Sequence, residues 1–166
     1  ALIIADPAIF MLAKEICPEI ERHVSTQANN TNYGTFNFWW NLGAKRVVTA
    51  RELSLKEIKE IRAHIPEDME IESFIHGAMC ISYSGRCLLS NFFTARDANQ
   101  GACTHPCRWK YSVVEETRPG EYMPVYENER GTYIFNSKDL CMIEHIPEMI
   151  DAGIDSFKIE GRMKTA

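Results

Sequence analysis

Cysteines are the residues whose number and crowding most strongly suggest chemistry in this sequence. Five of the six follow one another closely: Cys80, Cys87, Cys103, Cys107 and Cys141. Only Cys17 precedes them. In a reducing compartment, clustered cysteines are more typical of metal or redox sites than of disulfides. The sequence therefore points to a thiol-based site after position 79.

The spacing of these cysteines favours a cluster over a structural zinc ion. Zinc sites usually use closely paired cysteines, and only Cys103 and Cys107 are paired in this way. An iron–sulfur cluster takes one thiolate at each iron and tolerates irregular spacing, so four of the five could hold a [4Fe–4S] cluster. The alternative is that they are buried thiols acting as small hydrophobic residues. Cys17, beside Pro18, is interpreted as structural.

The length, charge and composition of the chain limit the class of protein that contains this site. The chain has 166 residues and a net charge of -5, which is enough for one domain with a core and gives no general attraction for nucleic acid or anionic membranes. We find no membrane span or basic signal-peptide segment in the sequence. These features predict a cytoplasmic location. The missing initiator methionine suggests a segment of a longer protein.

Strands and helices alternate along the chain, and they must position the cysteines. Strands are predicted at Ala1–Ala5, Glu21–Gln27, Arg46–Ala50, Met69–Ile75 and Ser156–Ile159. Helices are predicted after Pro7 and at Thr35–Leu42, Leu55–His64 and Met142–Ala152, the third with a capping box formed by Ser54 and Glu57. This alternation predicts an α/β fold with a parallel sheet. We interpret it as a partial (β/α) TIM-like barrel, whose open strand edges favour self-association.

The segment 93–136 interrupts this alternation and is too long for an ordinary connecting loop. It contains Cys103 and Cys107 and a turn at Pro119–Gly120. Short antiparallel strands are predicted around this turn at Val113–Val114, Met123–Tyr126 and Thr132–Phe135. The prediction is a Cys-containing β-hairpin insertion that folds over one end of the barrel.

Polar residues near the predicted strand ends are candidates for catalysis, because barrel enzymes place their sites there. His23, Glu72 and His76 are the catalytic candidates, although such histidines are more often hydrogen-bonded core residues. His76 precedes Cys80 by four residues, a spacing that suggests a Cys–His pair as the alternative, for proteolysis. An iron-bound thiolate cannot also serve as that nucleophile.

Two further groups of side chains suggest ligands. Arg51, Lys158 and Arg162 are candidates for binding a carboxylate or phosphate, with a salt-bridge network inside the barrel as the alternative. Arg108 and Trp109 combine a cation with an aromatic ring, which suits stacking on an RNA base. Without a family context, that stretch would be interpreted as a solvated loop.

Four motifs carry a resemblance that extends over essentially the whole chain. They are EsFihGAMCisysGrCllS at 72–90, RDANQGACTHPCRW at 96–109, FNSKDLC at 135–141 and DSFKIEGRMK at 155–164. In these motifs the chain resembles the U32 family, named for collagenase-like peptidases. HPCRWKY and the segment that follows it are most similar to the bacterial tRNA-hydroxylation branch.

The resemblance implies two different activities. Some members are described as peptidases acting on protein; others are iron–sulfur proteins needed to hydroxylate tRNA uridine, ribosomal RNA cytidine or ubiquinone precursors, with prephenate as the implied hydroxyl donor. The resemblance implies [4Fe–4S] ligands at Cys80, Cys87, Cys103 and Cys141, with Cys107 as a rival to Cys141. We therefore expect tRNA uridine hydroxylation, with collagenase-like proteolysis as the alternative.

Overall fold

A computed structural model describes residues 1–77, 79–80, 82–83, 86–109, 111–124 and 139–161. The described residues form two compact units. The first comprises Ala1–Gly77 with Leu140–Glu160, and the second comprises the described residues from Met79 to Asp139 with Gly161. Within these ranges, no helix has the length and apolar character needed to cross a membrane.

The first unit is a parallel sheet covered by helices, which confirms the predicted α/β class. In chain order its elements are β1 (Leu2–Ile4), α1 (Pro7–Ile16), β2 (Arg22–Val24), α2 (Tyr33–Leu42), β3 (Arg46–Val48), α3 (Leu55–Ala63) and β4 (Glu70–Gly77). The second unit contributes α4, β5 and β6, which are described below, and the first unit then resumes with β7 (Leu140–Cys141), α5 (Ile146–Asp151) and β8 (Ser156–Ile159).

The five predicted strands pair side by side in chain order. β1, β2, β3 and β4 are parallel neighbours, and β8 pairs in parallel with β4. The short β7, which was not predicted, pairs antiparallel with the end of β4. A 3₁₀ turn at Ile143–His145 precedes α5, so the α-helix begins later than the predicted Met142.

Local signals in the sequence explain the helix boundaries. Asp6 caps α1 by accepting hydrogen bonds from the amides of Ala8 and Ile9. Ser54 and Glu57 form the predicted capping box at the start of α3. These contacts satisfy amide groups that a helix leaves without partners at its first turn.

One face of the sheet forms the core with the helices. Alternate strand residues Ile4, Val24, Val47, Ile71 and Ile75 belong to a single hydrophobic cluster with residues of α1, α2, α3 and α5. Successive strand residues point to opposite faces. Polar side chains on the intervening positions are therefore collected on the other face of the sheet.

The second unit is built from short elements. α4 (Leu89–Thr94) is followed by 3₁₀ turns at Ala98–Gln100 and Pro106–Arg108 and by the antiparallel pair β5 (Ser112–Val114) and β6 (Tyr122–Pro124). This pair confirms the predicted strand Val113–Val114 and the described part of Met123–Tyr126. The third predicted strand, Thr132–Phe135, lies outside the described residues, and the insertion itself stays a prediction.

Candidate cysteine site and polar network

Four of the five clustered cysteines belong to the second unit: Cys80, Cys87, Cys103 and Cys107. Cys80 is exposed, Cys87 and Cys103 are half-buried, and Cys107 is buried. Cys103 and Cys107 lie on either side of His105, whose left-handed backbone (φ 55°) precedes the 3₁₀ turn Pro106–Arg108. The His105 amide donates a hydrogen bond to Cys103 Sγ at 3.4 Å.

Ser90 ties the segment after Cys87 to the segment that carries Cys103. Its buried Oγ accepts a hydrogen bond from the amide of Thr104 at 3.0 Å. Thr94 Oγ1 donates to the carbonyl oxygen of Ser90 at 2.7 Å and lies 3.1 Å from Thr104 Oγ1. These contacts fix α4 against the loop that positions Cys103.

The thiols of this unit influence one another electrostatically. Burial raises the pKa of Cys107, the guanidinium of Arg108 opposes that rise, and the thiols of Cys103, Cys80 and Cys87 reinforce it. Among the described residues, no three His, Cys, Asp or Glu side chains are arranged to hold a single metal ion. An iron–sulfur cluster is larger than one ion and takes one thiolate at each iron.

Cys141 and Cys17 belong to the first unit. Cys141 is exposed on β7, where it is paired in register with His76 of β4. The choice between Cys107 and Cys141 as fourth ligand stays a prediction. Cys17 follows α1 and donates a hydrogen bond from Sγ to the carbonyl oxygen of Ala13 at 3.1 Å, which agrees with its structural interpretation.

The side chain of Arg108, a residue of the second unit, is only 18% exposed. Nη1 forms an ion pair and a hydrogen bond with the carboxylate of Asp139. Nε and Nη2 are buried, and no described residue accepts a hydrogen bond from either. The sequence did not reveal this burial, because an Arg–Trp pair in a polar loop is usually solvated.

Trp109 is one of several aromatic rings at the surface of the second unit. It is 45% exposed, and its ring lies 5.9 Å from that of Phe93. Phe93 also contacts Phe92 at 5.2 Å and Tyr111 at 6.0 Å between ring centroids. Phe92 is 81% exposed. Sequence reasoning missed Phe92 and Phe93, although adjacent aromatics on a short helix are a usable signal.

Glu72 is the centre of a polar network on the sheet of the first unit. Its side chain is 9% exposed, and Oε1 accepts a hydrogen bond from Lys158 Nζ at 3.0 Å. Oε2 accepts hydrogen bonds from Arg46 Nη1 and Ser156 Oγ, each at 3.0 Å. Arg46 also donates from Nε to Glu70 at 2.7 Å. Of the three proposed anion-binding residues, the structure thus places Lys158 in a salt-bridge network with Glu72 and Arg46. The sequence analysis missed Arg46.

These contacts keep the carboxylates ionised. Burial alone would raise the pKa of Glu72, but Lys158, Ser156 and Arg46 together hold it below its ordinary value. For Glu70, burial is likewise outweighed by Arg46, and its pKa is also lowered. A general base needs a pKa near the working pH. Glu72 therefore has the properties of an ion-pair partner in the sheet.

The two candidate histidines lie on different strands. Burial lowers the pKa of His23, Arg46 lowers it further, and Glu21 opposes both. Nε2 of His23 is buried without a hydrogen-bond partner among the described residues, although Glu21 Oε2 lies 3.5 Å away. His76 is exposed on β4, and its carbonyl oxygen accepts a hydrogen bond from the amide of Glu160 at 2.9 Å.

Two of the three proposed anion-binding residues, Arg51 and Lys158, lie near the ring of Phe74. The guanidinium of Arg51 lies 3.8 Å from the ring centroid, and Lys158 Nζ lies 5.8 Å from it. Arg51 and Phe74 also line a pocket of about 140 Å³ in the first unit. Arg162 lies outside the described residues.

Comparison with known proteins identifies relatives of the whole chain. It is 45% identical over 204 residues to tRNA hydroxylation protein P of Escherichia coli K12, with 99% of this chain and 45% of the relative covered. It is 49% identical over 164 residues to tRNA hydroxylation protein P1 of Bacillus subtilis 168, covering 99% and 38%. An uncharacterized protease of Methanocaldococcus jannaschii is 46% identical over 169 residues, covering 100% and 40%.

The chain thus spans less than half the length of these relatives. No solved structure matches it. The sequence model of peptidase family U32 matches residues 1–166, and so includes every motif described above. On this evidence, the chain belongs to peptidase family U32.

Proposed function

We propose that the protein containing this chain takes part in the hydroxylation of uridine in tRNA and uses a [4Fe–4S] cluster. The observation that carries the proposal is 45–49% identity, over 99% of the chain, to two proteins named for tRNA hydroxylation. Because the chain spans less than half of those relatives, the activity is assigned to the whole protein.

Three of the four ligands proposed for the cluster belong to the second unit. Cys80, Cys87 and Cys103 would hold it together with Cys141, for which Cys107 is the rival. Thiolates are the protein ligands that such clusters use. The buried, unpartnered N–H groups of Arg108 are also suited to an anionic sulfur-containing group. When bound, the cluster would supply one-electron redox chemistry.

The hydroxyl donor is assigned to the first unit. Prephenate carries two carboxylates and a hydrophobic ring, so it suits a cation beside an aromatic side chain. Arg51 and Lys158 flank Phe74, and Arg51 lines the adjoining pocket. Lys158 is partly neutralised by Glu72, and Arg51 lies closer than Lys158 to the ring of Phe74. Arg162, the third residue predicted for this role, lies outside the described residues.

The chain order of the strands supports a partial (β/α) barrel. Five parallel strands lie in the order β1, β2, β3, β4, β8 without reversal, and the helices share one hydrophobic cluster with the same face of the sheet. A doubly wound sheet would reverse its strand order. An experimental structure of the full-length protein with helices on both faces of this sheet would contradict the barrel.

The exposed rings of Phe92, Phe93 and Trp109 form the proposed contact surface for tRNA. Stacking of a base on an aromatic side chain contributes about 1–3 kcal/mol. We therefore expect Trp109→Ala or Phe92→Ala to weaken tRNA binding about tenfold, measured by fluorescence anisotropy with labelled tRNA. Tyr122→Ala is the matched control, because Tyr122 is an exposed aromatic residue of the same unit. Equal losses in all three variants would contradict a specific surface.

The activity is tested on tRNA from cells. Deletion of the gene should remove 5-hydroxyuridine from tRNA, as measured by mass spectrometry of nucleosides. The wild-type gene should restore it, whereas a Cys80→Ser gene should not. A strain unable to make prephenate should also lose the modification. Unchanged tRNA in the deletion strain would reject the proposed function.

Proteolysis is the second candidate, favoured by the relative named as a protease. The geometry provides limited support for a nucleophile–base pair. Glu72 is held as an ion-pair partner of Arg46 and Lys158, and the two candidate histidines, His23 and His76, lie on different strands. Cleavage of gelatin by iron-free protein, together with unchanged tRNA in the deletion strain, would favour this activity.

A further inference from the structure

Arg108 is a half-buried arginine whose Nε and Nη2 atoms are buried. Asp139 pairs with Nη1, but no described residue accepts a hydrogen bond from Nε or Nη2. Among the described arginines, Arg22 and Arg62 each have one buried nitrogen without a hydrogen-bond acceptor, Nε, whereas Arg108 has two. A buried donor without an acceptor is destabilising, and more so when it is charged. A further acceptor is therefore expected beside Arg108.

The position of Arg108 indicates which kind of acceptor this is. The residue follows Cys107 on the turn Pro106–Arg108, in the unit that also contains Cys80, Cys87 and Cys103. Its guanidinium and these thiols all act electrostatically on the thiol of Cys107. Nε and Nη2 of Arg108 are buried, so a phosphate of RNA in solvent does not reach them. A group bound among the cysteines of the same unit would already lie inside the protein.

We infer that Arg108 donates Nε–H and Nη2–H to sulfur atoms of the cluster proposed above, and thereby sets its reduction potential. This inference rests on the proposed cluster and replaces the RNA contact predicted for Arg108. Hydrogen bonds to the sulfurs and a nearby positive charge both stabilise the more negative, reduced cluster. Arg108 is thus expected to raise the potential.

Replacement of Arg108 should therefore make the cluster harder to reduce. We expect Arg108→Gln to lower the equilibrium constant for one-electron reduction of the cluster about tenfold. This change corresponds to a midpoint potential lower by about 59 mV. Arg108→Lys keeps the charge but loses the planar pair of donors, so a smaller fall is expected. The measurement is a spectroelectrochemical titration of anaerobically purified protein, with iron and sulfide counted for each variant.

The matched control is Arg118→Gln, because Arg118 is an exposed arginine of the same unit paired with Glu115. Its potential should equal that of the wild type. A full complement of iron and sulfide with an unchanged potential in Arg108→Gln would overturn the inference and leave the proposed cluster intact. Wild-type protein without iron and sulfide would overturn both.

A measurement on the wild-type protein covers the case in which the variants lose their cluster. Protein labelled with ¹⁵N-arginine is reduced and studied by pulsed electron paramagnetic resonance. A hyperfine coupling from a guanidinium nitrogen to the reduced cluster is the expected result. A cluster signal without any arginine coupling would overturn the inference.

Discussion

Glu72→Ala is expected to lower the free energy of unfolding of the protein by about 3 kcal/mol, because it leaves two cations of the sheet without their shared partner. Arg46 and Lys158 both bind the carboxylate of Glu72 at 3.0 Å. This loss of stability lies at the low end of the range for broken buried ion pairs, because Arg46 and Lys158 both retain some contact with solvent. Denaturation by urea, followed by circular dichroism, measures the loss.

Glu70→Ala is the matched control on the same strand. Glu70 also pairs with Arg46, but it is more exposed than Glu72. A loss of about 1 kcal/mol or less is expected there, as for a surface pair. If Glu70→Ala destabilised the protein as much as Glu72→Ala, the central role of Glu72 in the network would be wrong.

The same network makes the effect of Glu72 dependent on pH. Its pKa is lowered in the folded protein from the usual 4.5, so the unfolded state binds the proton first as the pH falls. Its contribution is therefore complete above about pH 4.5 and is lost as the pH falls through the folded pKa. The difference in stability between the wild type and Glu72→Ala should shrink over that acidic range.

Local signals predicted the scaffold of the first unit well. The capping box at Ser54 and the alternation of apolar strands with amphipathic helices depend on nearby residues, which a sequence displays directly. β7 and α4 were missed because they are short and derive their order from distant partners. β7 pairs with β4, and Ser90 in α4 accepts a hydrogen bond from Thr104.

The sequence predicted the types of charged residue in the polar network but not which of them pair with one another. Alternation placed Lys158 among the charged residues of β8, yet its partner Glu72 depends on the register between β4 and β8. Arg46 begins β3 and was not considered, because only the register between β3 and β4 brings it to Glu72. The burial of Arg108 likewise arises from tertiary packing, which leaves no periodic signal in the sequence.

Cys→Ser changes should have the largest effect on the proposed cluster. A serine hydroxyl is a poor substitute for the thiolate that each iron takes. Cys80→Ser, Cys87→Ser and Cys103→Ser are each expected to abolish the broad visible absorption of anaerobically purified protein and to lower its iron and sulfide content. Cys17→Ser is the control: its thiol donates to the carbonyl oxygen of Ala13, so this variant should keep the cluster.

The fourth ligand is decided by comparing Cys107→Ser with Cys141→Ser. The resemblance to the family implies that Cys141→Ser loses the cluster and Cys107→Ser keeps it. The opposite result would assign the ligand to Cys107, whose buried thiol shares a unit with the other three. In that case the whole cysteine site would belong to the second unit. Zinc in place of iron and sulfide in the wild-type protein would reject the cluster itself.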